Sequence, residues 1–288
     1  MRRPKTLQRK SKGEITLYIF VSLVFACVAA SYIYTFVWAV IAGAKTHTEI
    51  VMQPFSLPAN WNFRNYIDVF SLLNVNGNTF GDMLFNSIYF SVVTSVLGQF
   101  FTMTFAYCCT KYKFPGCELP YTIILIMMTL PLYGNGAASY LLKANLGLID
   151  SYALVILSAA GFTSNFIYYR AYFKTVSWTY AEAAMMDGAN HFKIYGKVMI
   201  PLAKPIFGAL FLTDWLAAWN SYSSELLYHP NLPTLPVGIY QFNTEMIHRA
   251  RLDILYAACV LVCIPALILF TAFNKVITTN VSVGGIKG

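Results

Sequence analysis

Two groups of residues could do chemistry in this chain. The first is Glu182-Ala183-Ala184-Met185-Met186-Asp187-Gly188-Ala189, followed by Val198-Met199-Ile200-Pro201. Its residue types suit contact rather than reaction. Ala183 and Ala184 leave one helix face flat, so another protein can approach closely. Glu182 can pair with a basic group on that partner. The second group surrounds Asp214. Phe211, Trp215 and Trp219 recur at i, i+4 and i+8, and Tyr222 continues the face. Asp214, Ala217, Ser221 and Glu225 lie on the adjoining polar face, with Asn220 beside them. Aromatic faces beside hydrogen-bonding groups suit sugars, which present C–H surfaces and hydroxyls.

Other chemistries are disfavoured. Gly43-Ala44-Lys45-Thr46 resembles the end of a phosphate-binding loop, but the required first glycine is replaced by Trp38. His47, His191, His229 and His248 never pair at ligand spacing, so no metal site and no cofactor is expected. No nucleophile motif or carboxylate pair suggests an enzyme. Cys27, Cys108, Cys109, Cys117, Cys259 and Cys263 read as free thiols.

These residues must be positioned by membrane helices. The 288 residues are 57% hydrophobic and 11% charged, against about 25% charged in soluble proteins. The net charge of +8 does not point to nucleic acid, because the basic residues sit at the ends of apolar runs. A helix needs about 20 apolar residues to cross a bilayer. The qualifying runs are Thr16–Ala42, Leu84–Cys109, Leu119–Leu142, Tyr152–Tyr169, Pro205–Tyr222 and Ile254–Phe273. The expected fold is therefore all-α, a bundle of six transmembrane helices with a cytoplasmic helical loop between the fourth and the fifth, the coupling-helix loop of the family resemblance drawn below. If the N-terminus is cytoplasmic, only Lys45, Arg64, Lys143, Arg249 and Arg251 of the 20 basic residues fall outside. Positive charge is retained inside, so both termini are expected in the cytoplasm of a multi-pass cell-membrane protein. The expected segments are a basic N-terminus (1–15), a transmembrane domain (16–275) containing the loop 175–202, and a Gly-rich tail (276–288).

Local chemistry refines this map. Thr179 and Glu182 stand at capping-box spacing, which predicts a helix from Tyr180 through Met186. Gly188 is placed to end it, and Asn190 to cap a second helix stopping before Pro201. In the third run, Pro131, Gly134, Asn135 and Gly136 break the helix, and Tyr133 lies within the break. Irregular backbone is tolerated in a membrane only against protein or water, so Tyr133 and Asn135 are candidate pathway residues. Ser87, Ser91, Ser95, Gly98 and Thr102 form a small-residue stripe that predicts close helix packing. A lone intramembrane acid such as Asp214 costs at least ~2.5 kcal/mol, so it needs a partner or a wet cavity.

The loop, Phe114-Pro115-Gly116, Asn145-Leu146-Gly147-Leu148, Trp219-Asn220 and the tail Gly284-Gly285-Ile286-Lys287-Gly288 together resemble one family. It is the inner-membrane permease of maltose-type, carbohydrate-uptake ABC importers, and the likeness spans nearly the whole chain. The chain looks like the shorter, six-span partner of the heterodimeric pair. The resemblance implies a sister permease, two ATPase subunits and an extracellular or periplasmic solute-binding protein that delivers a sugar. It also implies that Glu182, Ala183, Ala184, Asp187, Gly188, Ala189 and Pro201 dock an ATPase, and that Gly284, Gly285 and Lys287 reach between the ATPases. The Pro-rich loop His229–Asp253 departs from the maltose pattern, leaving a uronide oligosaccharide, a polyol or glycerol phosphate as alternative solutes. A self-powered secondary transporter is the rival class. It would need ion-coupling groups in the membrane, where only Asp214 stands.

Overall fold

The computed structural model describes residues 12–130, 136–161, 163–245 and 251–281. Tyr133, Asn135, Gly284, Gly285 and Lys287 lie outside the described residues. In chain order the helices are α1 (Lys12–Gly43), α2 (His47–Met52), α3 (Arg64–Leu72), α4 (Phe80–Lys111), α5 (Leu119–Thr129), α6 (Gly136–Asn145) and α7 (Tyr152–Ala159). There follow α8 (Asn165–Thr175), α9 (Thr179–Met186), α10 (His191–Ile194), a π-helical turn (Tyr195–Met199), α11 (Ile200–Trp219), α12 (Ser223–Tyr228), α13 (Leu235–Glu245) and α14 (Leu252–Val281).

Among the described residues, four stretches are long and apolar enough to cross a membrane as single helices. They are Gly13–Gly43, Phe80–Lys111, His191–Trp219 and Leu252–Phe273. The third and fourth expected spans are each built as two shorter helices, α5 with α6 and α7 with α8. Proline explains where α5 stops. Leu130, which precedes Pro131, adopts an extended conformation (φ −88°, ψ 120°), because the proline ring disfavours helical backbone at the residue before it. The fourth span is interrupted between Ala159 and Asn165, a stretch that contains Gly161.

The chain divides into two compact units. The first comprises residues 1–69 and 249–261. Here α1 and α14 approach so closely that a Cβ on Gly43 would lie 3.0 Å from Ala257 Cα and 2.8 Å from the Tyr66 hydroxyl. A methyl group cannot fit there without backbone movement. Lys45 is buried, and its ammonium donates to the carbonyls of Gln53 (2.9 Å) and Pro54 (3.2 Å). Asn65 ties the same turn together, donating to the Gly43 and Lys45 carbonyls at 2.9 Å each. Thr46 and Glu49 form a full capping box on α2, and Glu49 also accepts from Ala59 N–H at 3.0 Å. Those hydrogen bonds hold the Glu49 carboxyl below its ordinary range.

The second unit comprises residues 70–248 and 262–288. Its axis is α4, against which α7, α8, α11 and α13 pack. The small-residue stripe makes this possible. Ser87, Ser91, Ser95 and Thr102 are all buried, and a Cβ on Gly98 would sit 3.5 Å from the Ala159 carbonyl. Close backbone approach is what small residues supply between membrane helices. The stripe also satisfies polar groups: Ser87 Oγ accepts from Leu235 N–H at 2.7 Å, and Asn86 donates to the Pro233 carbonyl at 3.1 Å. The lower core gathers Tyr107, Phe166, Tyr169, Phe173, Ile194 and Met199. Arg170, buried beside it, pairs with Glu118 and lies 4.1 Å over the Tyr121 ring.

Candidate functional site

The loop from Val176 to Met199 has a hidden face and an open face. Ala181, Ile194 and Met199 are buried in the core beneath it. Aromatic contacts tie it to the end of α4. Tyr107 stacks on Tyr195 with centroids 4.8 Å apart, Tyr112 meets Trp178 edge-on, and the Tyr112 hydroxyl lies 3.0 Å from His191 Nδ1. Lys111 donates to the Val176 carbonyl at 2.5 Å. On the other side Glu182, Ala183, Asp187 and Gly188 are exposed, Ala184 and Ala189 partly so. Met186 and Phe192 keep 88% of their surface open to solvent. These apolar side chains stand out from a loop that is otherwise well anchored.

The turn between the two short helices is built as the sequence suggests. Gly188 has φ +78°. Its N–H bonds to the Met185 carbonyl, and Ala189 N–H to the Ala184 carbonyl, both at 2.9 Å. This pair of bonds is the Schellman closure of a helix C-terminus. Asn190 then caps α10, its side chain accepting from Lys193 N–H at 2.9 Å.

Two expectations are corrected. The Thr179–Glu182 capping box does not form. Trp178 already has helical backbone (φ −70°, ψ −18°) and makes no side-chain cap. Glu182 N–H therefore bonds to the Trp178 carbonyl, while Ser177 Oγ accepts from Thr179 N–H. Nor does the second helix stop before Pro201. The chain widens into the π turn at Tyr195–Met199, where Ile200 N–H reaches back to the Tyr195 carbonyl, and then continues through Pro201 into α11. A π turn shifts the hydrogen-bond register by one residue, and it falls immediately before the residue that cannot donate. Pro201 is exposed on this continuous helix.

Asp214 sits on α11 facing α4 and α8. Its carboxylate accepts from Gln99 Nε2 and from Asn165 Nδ2, the latter at 3.0 Å and 2.9 Å to its two oxygens. Three N–H contacts replace much of the water that an intramembrane carboxylate loses. It also lines a cavity of about 390 Å³. Further along the wall stand Asn165, Ser158, Ser221, Ser224 and Glu225. Glu225 Oε2 accepts from His229 Nδ1 at 2.8 Å, and its other oxygen accepts from Ser224 Oγ at 3.2 Å.

The aromatic face of α11 lies elsewhere. Trp215 and Trp219 stack on each other with centroids 4.9 Å apart, and both are buried. Trp219 donates to the Val262 carbonyl at 3.3 Å. Phe211 packs on Phe207 and Phe273. None of the three lines the cavity. Asn220 is exposed and donates back to the Leu216 carbonyl. The structure thus brings Asp214, Ala217, Ser221 and Glu225 to one wall and turns the tryptophans into packing. The sequence reading passed over Gln99 and Asn165, the two amides that cradle Asp214. The available signal was a glutamine inside a long apolar run, which is costly without a partner.

The family described as "Binding-protein-dependent transport system inner membrane component" matches residues 110–283, which include the loop and α11. The arabinooligosaccharides transport system permease protein AraQ of Bacillus subtilis is 28% identical over 94% of this chain and 96% of its own. The diacetylchitobiose uptake system permease protein NgcG of Streptomyces coelicolor is 27% identical over 86% of this chain and 82% of its own. The inner membrane ABC transporter permease protein YcjP of Escherichia coli is 29% identical over 85% and 87%. A chain from the crystal structure of a bacterial ABC transporter involved in the import of the acidic polysaccharide alginate superposes with a TM-score of 0.76. It is 23% identical, and the match covers 92% of this chain and 98% of that one. This last likeness concerns the fold.

Proposed function

This chain belongs to the family of binding-protein-dependent transport system inner membrane components, and on that premise we propose that it is one permease half of a sugar or oligosaccharide importer. It works in the cytoplasmic membrane with a sister permease, two ATPase subunits and an extracellular or periplasmic solute-binding protein. ATP hydrolysis in the separate subunits drives the passage. Both termini and the 175–202 loop face the cytoplasm, a reading supported by the distribution of basic residues. The saccharide class is supported by the relatives named for arabinooligosaccharides and diacetylchitobiose.

One observation carries the mechanism. The exposed Glu182–Gly188 surface leads through Asn190 into a single helical rod, His191–Trp219, which bears Asp214 on the cavity wall. A displacement imposed on the loop by a docked ATPase is thereby passed toward the wall along one continuous helical stretch, which includes the π turn at Tyr195–Met199 and Pro205. The Tyr107, Tyr112 and Trp178 contacts bring the end of α4 along with it. The exposed Ala183 face and Glu182 supply the docking surface. Asp214 and the cavity hydroxyls supply hydrogen-bond acceptors for a passing polyhydroxylated solute.

The test is ATP-dependent uptake in proteoliposomes holding the complete complex. Labelled neutral oligosaccharides should accumulate only with ATP and the binding protein present. Glu182→Lys should abolish uptake while the assembled complex is still recovered. Uptake that persists without ATP, driven by a proton or sodium gradient, would establish the secondary-transporter reading instead.

A further inference from the structure

The cavity wall carries charge of one sign. Of the residues that line it, Asp214 and Glu225 are the ionisable ones, and no Lys or Arg lines it among the described residues. Arg170, on α8, pairs with Glu118 through one nitrogen and lies over the Tyr121 ring. Lys143, on α6, sits 3.5 Å over the Tyr228 ring. Asp214 receives its hydrogen bonds from two amides, which satisfy lone pairs but carry no net charge. His229 Nδ1 must carry the proton it shares with Glu225, since a carboxylate only accepts. The same wall carries hydroxyls such as Ser158, Ser164 and Ser221, which can donate or accept.

We infer that this wall admits neutral, hydroxyl-rich saccharides and turns away those bearing a carboxylate or phosphate. The inference rests on the saccharide-importer reading and narrows it. Sugar O–H groups donate well to carboxylate oxygens, and charge-assisted bonds of that kind are the stronger ones. A uronate or phosphorylated sugar meets like charge, and among the described residues no Lys or Arg lines the wall to offset it. Water does not screen this fully in a half-enclosed cavity of low dielectric. The selectivity therefore excludes by repulsion as well as selecting by contact.

The experiment uses the complete importer in proteoliposomes. The probes are neutral trisaccharides of arabinose, galactose and glucose, each paired with the same trisaccharide oxidised to one terminal carboxylate. Binding of every probe to the solute-binding protein alone is measured in parallel. Uptake is normalised to purified complex for wild type, Glu225→Gln and the double variant Asp214→Asn/Glu225→Gln. The wild type should carry a neutral probe in preference to its oxidised partner, beyond any preference of the binding protein. The variants should lower that ratio by about fivefold, close to the 1 kcal/mol of one like-charge contact in water. Because the binding protein is unchanged, a shift in the ratio reads the permease wall. Glu225→Gln alone preserves the test if the double variant does not assemble. A ratio that neither variant moves, or equal wild-type uptake of both probes, overturns the selectivity. Failure to carry any of the six probes overturns the saccharide reading itself, and the selectivity with it.

Discussion

The Val176–Met199 loop and the cavity are built on opposite plans. The loop is local. Its turn bonds join Gly188 to Met185 and Ala189 to Ala184, and its second cap joins Asn190 to Lys193. The cavity is assembled from afar. Asp214 meets Gln99 across 115 residues and Asn165 across 49. The loop turns its distinctive residues outward, whereas the cavity turns them inward toward one another. A surface, such as the docking face proposed for the loop, can be written in one stretch of chain. A cavity has to be surrounded, so its residues come from several helices.

This contrast yields predictions. The largest effect is expected at the loop. Gly188→Arg and Glu182→Lys should lower normalised uptake by at least about tenfold, the effect of losing roughly 1.4 kcal/mol at a docking contact, with the complex still assembled. Gly188→Ala separates two causes. No atom lies within 4 Å of a Cβ there, so its cost is the left-handed backbone alone, about 1–2 kcal/mol. If alanine is as damaging as arginine, the turn matters through its conformation and not through the face it opens.

The cavity should respond to chemistry rather than bulk. Asp214→Leu strands the amide donors of Gln99 and Asn165, at about 1–3 kcal/mol for each buried group left unsatisfied. The yield of folded complex should fall. Asp214→Asn should be tolerated, because Gln99 Oε1 is buried without a partner and can accept once the amide turns over. Thermal stability of the purified complex distinguishes them. Equal loss in both variants would mean that the negative charge, not hydrogen bonding, holds the site.

A smaller effect is expected in the first unit. Glu49 is held below the ordinary carboxylate range by its hydrogen bonds with Thr46 and with the N–H of Ala59. A depressed carboxyl stabilises above its unfolded pKa and loses that contribution as pH falls through the folded one. Hydrogen exchange at Glu49 and Ala59, corrected for its intrinsic pH dependence, should lose protection as pH falls from the ordinary carboxylate range through the lowered value of Glu49. Glu49→Gln should flatten that response while leaving the cavity and loop variants as they are.

The same contrast decides what could be read from sequence. Gly188 and Asn190 were legible because a C-terminal glycine and an N-cap depend on near neighbours. The Thr179 box was not, because the helix had already begun at Trp178. Pro201 was read as a stop, and the π turn ahead of it removed the need for one. The apolar runs gave the all-α membrane fold, but six runs did not mean six unbroken helices, since Pro131 imposes an extended residue before it. In the cavity, Asp214 was legible from its cost alone. Trp215 and Trp219 were misplaced because a stripe at helical spacing looks the same whether it faces a solute or a neighbouring helix. Gln99 and Asn165 acquire meaning only once α4 and α8 lie beside α11.

The wide turn at Tyr195–Met199 has a geometric consequence. It is equivalent to one residue slipped into an α-helix, which sets everything beyond it about 100° further round and ~1.5 Å further along. The bearing of Asp214 relative to Phe192, at the start of the rod, is thus a phase set at this turn. Shortening that turn by one residue would leave both ends chemically intact and out of step. The outer surface would still present its glutamate, and the carboxylate would swing away from its two amides.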